Sequence, residues 1–378
     1  MAKNRKWRGL HWPSFFLMVG LCTVGIMVIY SATHTSEAAD LKNAAVQQGA
    51  WVGLGLVCFF ALTFLDYHRW VAQGWFWFGG GLCLLLLVLV FGREVNGAKS
   101  WIRLGPVGFQ PAEVMKLAFL AGASALLVAL REKAEKFSTV LALGGFALIP
   151  VLLILKQPDL GSAAVFMPMC FGLLLAGGTR LRYLLVPAGL GLVCVLAIYV
   201  YVGYLGKELP FLKTYQNNRI RTFFDPNLDP LGAGWTIRQS IIAIGSGGFS
   251  GKGYLRGDQN LYGFLPKNIA YNDFIFSVLG EELGFLGGAA LILAEAGLLL
   301  SIAWIGSRAS DLEGRLLAGG VLGMLFTHDH RHSPAFRELR RDLSGRLHGR
   351  DGFDAKRLDA KKAGLKSGLD PKPRSRTS

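Results

Sequence analysis

Charge is scarce in this sequence. Only 17% of its residues are Asp, Glu, Lys or Arg, against about 25% in a soluble domain. Cysteine is scarce too. All five cysteines (Cys22, Cys58, Cys83, Cys170 and Cys194) lie inside apolar runs, and there is no Cys-x-x-Cys pair. That argues against a disulfide scaffold or a thiolate metal site and leaves small hydrophobes in helices. No internal repeat is convincing. A phosphate-binding loop is missing as well. The run Gly245-Ser246-Gly247-Gly248-Phe249-Ser250-Gly251-Lys252-Gly253 comes near one, but Ser246 stands where its first Gly should be and Gly253 replaces its Ser/Thr. It reads instead as a flexible glycine turn.

Apolar residues make up 52% of the chain, and there are 49 glycines. The apolar residues gather into runs of about twenty, the length that crosses a hydrocarbon core about 30 Å thick. Abundant glycine suits helices that pack closely in lipid. The reading is therefore an all-α polytopic membrane protein. Its apolar segments fall at about 13–32, 46–65, 75–92, 114–130, 138–155, 159–178, 183–204, 274–306 and 316–327. The first run is too long for a signal peptide and has no clear small-residue cleavage site, so it reads as a retained span.

Lys3, Arg5, Lys6 and Arg8 place the N-terminus (residues 1–12) in the cytoplasm. Alternation then puts Arg69, the 131–136 stretch, Arg180 with Arg182, and Arg308 with Arg315 on the same side. The outward connections are 33–45, 93–113, a tight turn at 156–159, and a large extracytoplasmic loop at 205–273. The net charge is +15, about half of it after residue 328. The remainder suits anionic lipid or a phosphate-bearing substrate.

The outward connections hold the candidate chemistry. Lys99, Trp101 and Arg103 lie in the first long one; Trp101 is either an aromatic-belt anchor or a stacking surface for a sugar or headgroup. Glu113 and Lys116 are spaced to pair on one helix face. Asp159 follows Pro158 at a helix start, where it is either an N-cap or part of a cleft wall. The large loop carries Arg219, Arg221 and Arg238 and ends at Asp273, ahead of a helix of about 33 residues, near 50 Å long. Glu281 would lie about 12 Å along that helix from Asp273. Ionisable groups within a span are functional candidates.

Taken together, these residues resemble a known family. Asn96-Gly97-Ala98-Lys99-Ser100-Trp101, Gln110-Pro111-Ala112-Glu113, Lys156-Gln157-Pro158-Asp159-Leu160-Gly161, Asn218-Arg219-Ile220-Arg221, and Asp273-Phe274-Ile275-Phe276 followed by Gly280-Glu281-Glu282 resemble the RodA/FtsW/SpoVE (SEDS) family in its motif order. The run 239–248 is more similar to the RodA branch. The resemblance covers about 14–327. It implies a SEDS-type bundle of ten spans that polymerises lipid II into glycan strands during cell-wall elongation. It also implies a bacterial inner-membrane location and, as partners, a class B penicillin-binding protein and other elongation-complex membrane proteins, with no nucleic acid. It maps the essential acid onto Asp273, the loop tryptophan onto Trp101 and a helix carboxylate onto Glu281. Lys99, Arg219, Arg221, Arg238, Glu113, Lys116 and Asp159 join them as substrate-binding candidates.

Elementary chemistry agrees. Glycosyl transfer from a lipid diphosphate needs a base for the acceptor hydroxyl, and a carboxylate serves. The departing diphosphate needs positive charge, from Arg and Lys or from a divalent cation such as Mg2+ or Mn2+. Two alternatives stand beside the enzyme: a lipid II flippase, and an inactive scaffold for a penicillin-binding protein.

The sequence departs from the family twice. Lys267 stands where the family usually has Glu. After residue 327 the family pattern stops, and 328–378 is a basic tail that reads as disordered or frameshifted, in place of the rest of span nine and span ten. His328, His330 and His332 lie in that tail, where a metal site is the weaker reading.

Overall fold

The structure is a computed structural model. It describes residues 10–36, 39–95, 98–104, 107–157, 159–207, 233–264 and 274–332, together with Leu209, Asn217, Arg221 and Tyr271. The elements in chain order are α1 (Trp12–Thr33), α2 (Ala44–Phe64), α3 (Tyr67–Ala72), α4 (Gly74–Phe91), β1 (Arg93–Val95), β2 (Ala98–Leu104), β3 (Val107–Phe109), α5 (Pro111–Ala129), α6 (Phe137–Lys156), α7 (Leu160–Ala164), α8 (Phe166–Ala176), α9 (Leu181–Ile198), α10 (Ala233–Ser246), α11 (Ile275–Arg308) and α12 (Leu312–His332). Six of these, α1, α2, α4, α5, α6 and α11, are long and apolar enough to cross a membrane. Each of the nine expected segments coincides with a helix or, at 159–178, with the pair α7 and α8.

Local chemistry sets the helix starts. Pro111 opens α5 at a position where a missing N–H costs nothing. Asp66 caps α3 by accepting from His68 N at 3.1 Å, Asp159 caps α7 by accepting from Ser162 N at 2.8 Å, and Asp311 accepts from Gly314 N at 2.8 Å at the start of α12.

The surface is the inverse of a soluble protein's. Phe76, Val90 and Phe91 are each more than 70% exposed, as lipid-facing side chains must be. In lipid, apolar side chains gain nothing by hiding from water, so helices associate through close packing. The centre of the bundle is α5, whose Met115, Phe119 and Leu120 pack with Phe166, Leu173 and Leu316. A second cluster joins α1, α10 and α11 through Val28, Ala32, Ala243, Val278 and Leu279.

Side-chain contacts between connections check the alternation of spans. Gln110, ahead of α5, donates to Asp159, ahead of α7, at 2.8 Å. Ser31, at the end of α1, donates to Glu282, near the start of α11. At the opposite end Tyr67 donates to Asp311 at 2.8 Å, and Arg180 to Glu135 at 2.9 Å. Connections expected on one side therefore meet on one side. The end carrying residues 93–109 and the large loop is called the loop end below.

The structure adds to or corrects the sequence reading at three places. The 93–109 segment is a three-stranded antiparallel sheet, β1-β2-β3, with Arg93 paired to Trp101 and Ile102 to Phe109. Its alternation is too short to read as strands from sequence. The ninth segment, expected at 316–327, is part of a 21-residue helix, α12, because Asp311 starts it early and its last turn continues through 328–332. The tail beyond 332 lies outside the described residues. Finally, α11 is not one straight helix. Gly284 has φ 64° and ψ −161°, a conformation in effect reserved for glycine.

That break frees backbone groups that lipid cannot satisfy. The glycine run 247–253 takes them up. Lys252 N donates to Glu281 O at 3.0 Å and Gly253 N to Glu282 O at 2.9 Å, while Phe285 N donates to Gly248 O at 2.9 Å and Leu286 N to Phe249 O at 3.1 Å. A Cβ on Gly284 would stand 2.3 Å from Gly251 N. Alanine at Gly284 is expected to destabilise the chain by about 1–3 kcal/mol from backbone strain alone. The check is the thermal midpoint in detergent; an unchanged midpoint would mean that α11 straightens at no cost.

Candidate active site at the loop end

Charge is buried selectively in this bundle. Among the described residues the buried charged side chains are Lys116, Glu281 and Glu282. Lys116 is one turn into α5, and Glu281 and Glu282 lie on the short arm of α11 before the break. All three are at the loop end.

Lys116 is 2% exposed and meets Glu113 at 2.6 Å, so the expected i, i+3 pair forms. Gln110, one residue before α5, donates to Asp159 Oδ2. Asp159 also accepts from Ser162 Oγ at 2.7 Å. It is therefore a cap and, at the same time, the joint between the 110–116 and 156–161 motifs. Trp101 sits half-buried on β2 with its ring against Gly108, where a Cβ would come within 3.2 Å. Gly108 thus leaves the space in which the indole lies on the sheet.

Glu281 is fully buried. Its Oε1 accepts from Lys252 Nζ at 2.7 Å, Gln259 N at 3.1 Å and Ser246 Oγ at 3.4 Å, while Oε2 has no hydrogen-bond partner. Burial works against the Lys252 ammonium, but its hydrogen bonds to Glu281 and Asp258 outweigh burial and hold its pKa above the ordinary lysine value. Glu282 accepts from Ser31 Oγ and from Leu255 N, and Tyr254 Oη donates to Met27 O at 3.0 Å. The glycine run read as a flexible turn is thus a clamp joining α1 to the first arm of α11.

The cationic candidates divide. Arg221 donates to Gly206 O, and Arg238 lies exposed on α10. Lys99 has its backbone in β2, with its side chain outside the described set, and Arg219 lies outside it altogether. Asp273 also lies outside the described residues. Its neighbours do not: Phe274 is buried, and Tyr271 packs on the α1–α10–α11 cluster. Ser240 and Ser277 then tie α10 to α11 at 2.5 Å. Sequence reasoning missed Lys252, Gln259 and Ser31 as partners of the two glutamates. The one available signal was a lysine within a glycine run.

Among the described residues no three metal-capable side chains gather at this end; the one such group, His68, Asp311 and Glu313, is at the other. No step below is routed through a divalent cation. A cleft of about 760 Å3 lined by residues such as Val140, Leu148, Phe166, Leu300 and Phe326 holds no charged side chain. It offers contact to hydrocarbon but nothing to a diphosphate.

Comparison with known proteins places the chain in a family. The FtsW/RodA/SpoVE family model, described as cell cycle protein, matches residues 13–330. Peptidoglycan glycosyltransferase RodA of Treponema pallidum is 35% identical, covering 82% of this chain and 86% of its own length. Peptidoglycan glycosyltransferase MrdB of Escherichia coli is 35% identical, covering 86% and 84%. Among solved structures, a chain from a peptidoglycan synthase complex, studied for how polymerisation and crosslinking are coordinated, superposes with a TM-score of 0.66 at 30% identity, covering 84% of each chain. The crystal structure of the rod-shape-determining protein RodA of Thermus thermophilus gives 0.55 at 28% identity, covering 84% and 82%. With more than three quarters of its length matched in sequence and in fold, this chain belongs to the FtsW/RodA/SpoVE family.

Proposed function

We propose that this chain is a peptidoglycan glycosyltransferase that polymerises lipid II into glycan strands during cell-wall elongation. The loop end is its extracytoplasmic, working end, and the N-terminus is cytoplasmic. The observation that carries the reading is the confinement of buried charge among the described residues: Lys116, Glu281 and Glu282 all lie at the loop end. A flippase needs polar groups through the bundle to both faces. Here the bundle beyond Lys116 is packed with Phe119, Phe166 and Leu173.

In this reading Asp273 takes the proton of the acceptor hydroxyl as that oxygen attacks the anomeric carbon of the donor sugar. The bond from that carbon to the diphosphate oxygen breaks, and undecaprenyl diphosphate leaves. Arg219, Arg221, Arg238 and Lys99 supply positive charge for the departing diphosphate. Trp101 offers a stacking face to a sugar. The pairs Glu113–Lys116 and Gln110–Asp159 fix the ends of α5 and α7 that wall the cleft. A class B penicillin-binding protein is the expected partner, and the superposition on a chain from a peptidoglycan synthase complex supports it.

The test is reconstitution into liposomes with lipid II and the partner. Glycan strands resolved on a gel are the expected product. Translocation of lipid II without strand formation would overturn the reading in favour of a flippase, and partner binding with neither activity would favour a scaffold.

A further inference from the structure

We propose that Lys252 is a positioning residue for glycosyl transfer, which it serves by holding the Glu281 carboxylate in one orientation. The proposal rests on Glu281 having a role at the site. Glu281 is fully buried, and one oxygen does all the bonding: Oε1 takes Lys252 Nζ at 2.7 Å, Gln259 N at 3.1 Å and Ser246 Oγ at 3.4 Å. Oε2 is left bare, and a side chain on Gly257 would come within 2.9 Å of it. A carboxylate held by three donors on one oxygen cannot rotate without breaking all three. Of those donors only Lys252 carries charge, and a charge-assisted bond is about twice as strong as a neutral one.

The anchoring of Lys252 is itself built in. Its own backbone N–H donates to Glu281 O, so the residue that neutralises the carboxylate is pinned to the same turn of α11. Its Nζ also reaches Asp258 Oδ2 at 3.0 Å. Asp258 is 54% exposed and Glu281 is not, so solvent screens the first contact far more than the second. Lys252 therefore acts chiefly on Glu281.

The experiment compares Lys252→Met, Lys252→Arg, Asp258→Asn and Glu281→Gln in the full-length chain with its partner, in liposomes. Lipid II polymerisation is read per folded chain, and thermal midpoints are recorded alongside. Lys252→Met keeps the aliphatic stem and removes the ammonium. It is expected to lower kcat by about 100-fold, as a misplacement of about 1 Å does, with KM within about threefold of the parent's. Lys252→Arg is expected to recover at least about tenfold of that loss, because the cation returns. Asp258→Asn is expected to stay within about threefold of the parent.

A role confined to folding would lower the midpoint and the yield of Lys252→Met but leave kcat per folded chain unchanged, and that result overturns the proposal. So does an Arg variant no better than Met. If instead Glu281→Gln polymerises at the parent rate, the assignment of Glu281 is at fault, and the two failures are distinguished.

Discussion

Alanine at Asp273 is expected to abolish glycan-strand formation by the reconstituted chain, while lipid II in the liposomes is still translocated to whatever extent the parent translocates it. A positioned general base contributes about 10²–10⁴-fold, so the residual rate should fall to the floor of a gel assay. Asparagine at the same position keeps the volume and removes the basicity, and it should be equally inactive. The substitution is conformationally mild: Tyr271 and Ile275 pack on the cluster that includes Val28, Ala243 and Val278, and Phe274 is buried, so the chain is anchored on both sides of residue 273. The thermal midpoint should therefore stay near that of the parent. Retained polymerisation in either variant sinks the assignment of the base.

Leucine at Gly319 gives the largest loss of stability. This glycine of α12 lies against Gly172 of α8, backbone on backbone. A Cβ on Gly319 would stand 2.5 Å from Gly172 O, and one on Gly172 would stand 2.1 Å from Gly319 O. One turn on, a Cβ on Gly323 would stand 2.1 Å from Pro168 O. Gly319 and Gly323 thus form the small-xxx-small face that lets two helices touch in lipid. No rotamer relieves a clash with a carbonyl, so the helices must part. Overpacking typically costs about 1–3 kcal/mol and occasionally more, and a clash with backbone on both helices puts this one at the upper end. The measurement is the thermal midpoint and the yield of folded chain in detergent. Gly144 has nothing within 4 Å of its would-be Cβ, so Gly144→Ala serves as the control and should match or slightly exceed the parent. If Gly319→Leu matches that control, the α8–α12 contact is not what holds this side of the bundle.

The spans were legible because an apolar run of about twenty residues has few other fates. The pairs within one helix, such as Glu113 with Lys116, were legible because i, i+3 spacing fixes their geometry. What escaped was set by distant residues. Leu283-Gly284-Phe285 sits in an apolar run that reads as unbroken helix, and the break becomes tolerable only because residues 247–253 supply the missing hydrogen-bond partners. For the same reason the glycine run looked pliable: its partners lie about thirty residues further along the chain. Lys252 and Ser31 gained meaning only beside Glu281 and Glu282. The sheet at 93–109 was hidden by strands of three and seven residues. Asp273 was found by motif resemblance and not by any local geometric signal.

The splice between the glycine run and α11 also changes where the molecule can be labelled. By sequence, 245–253 looks like a permissive surface turn, the usual choice for an inserted epitope. Its amides and carbonyls instead complete the hydrogen bonding of a membrane helix, so one added residue would shift four donors and acceptors out of register together. A reporter belongs further along, near Tyr262 and Gly263, where Tyr262 is 73% exposed and the backbone makes no such bonds to α11 among the described residues.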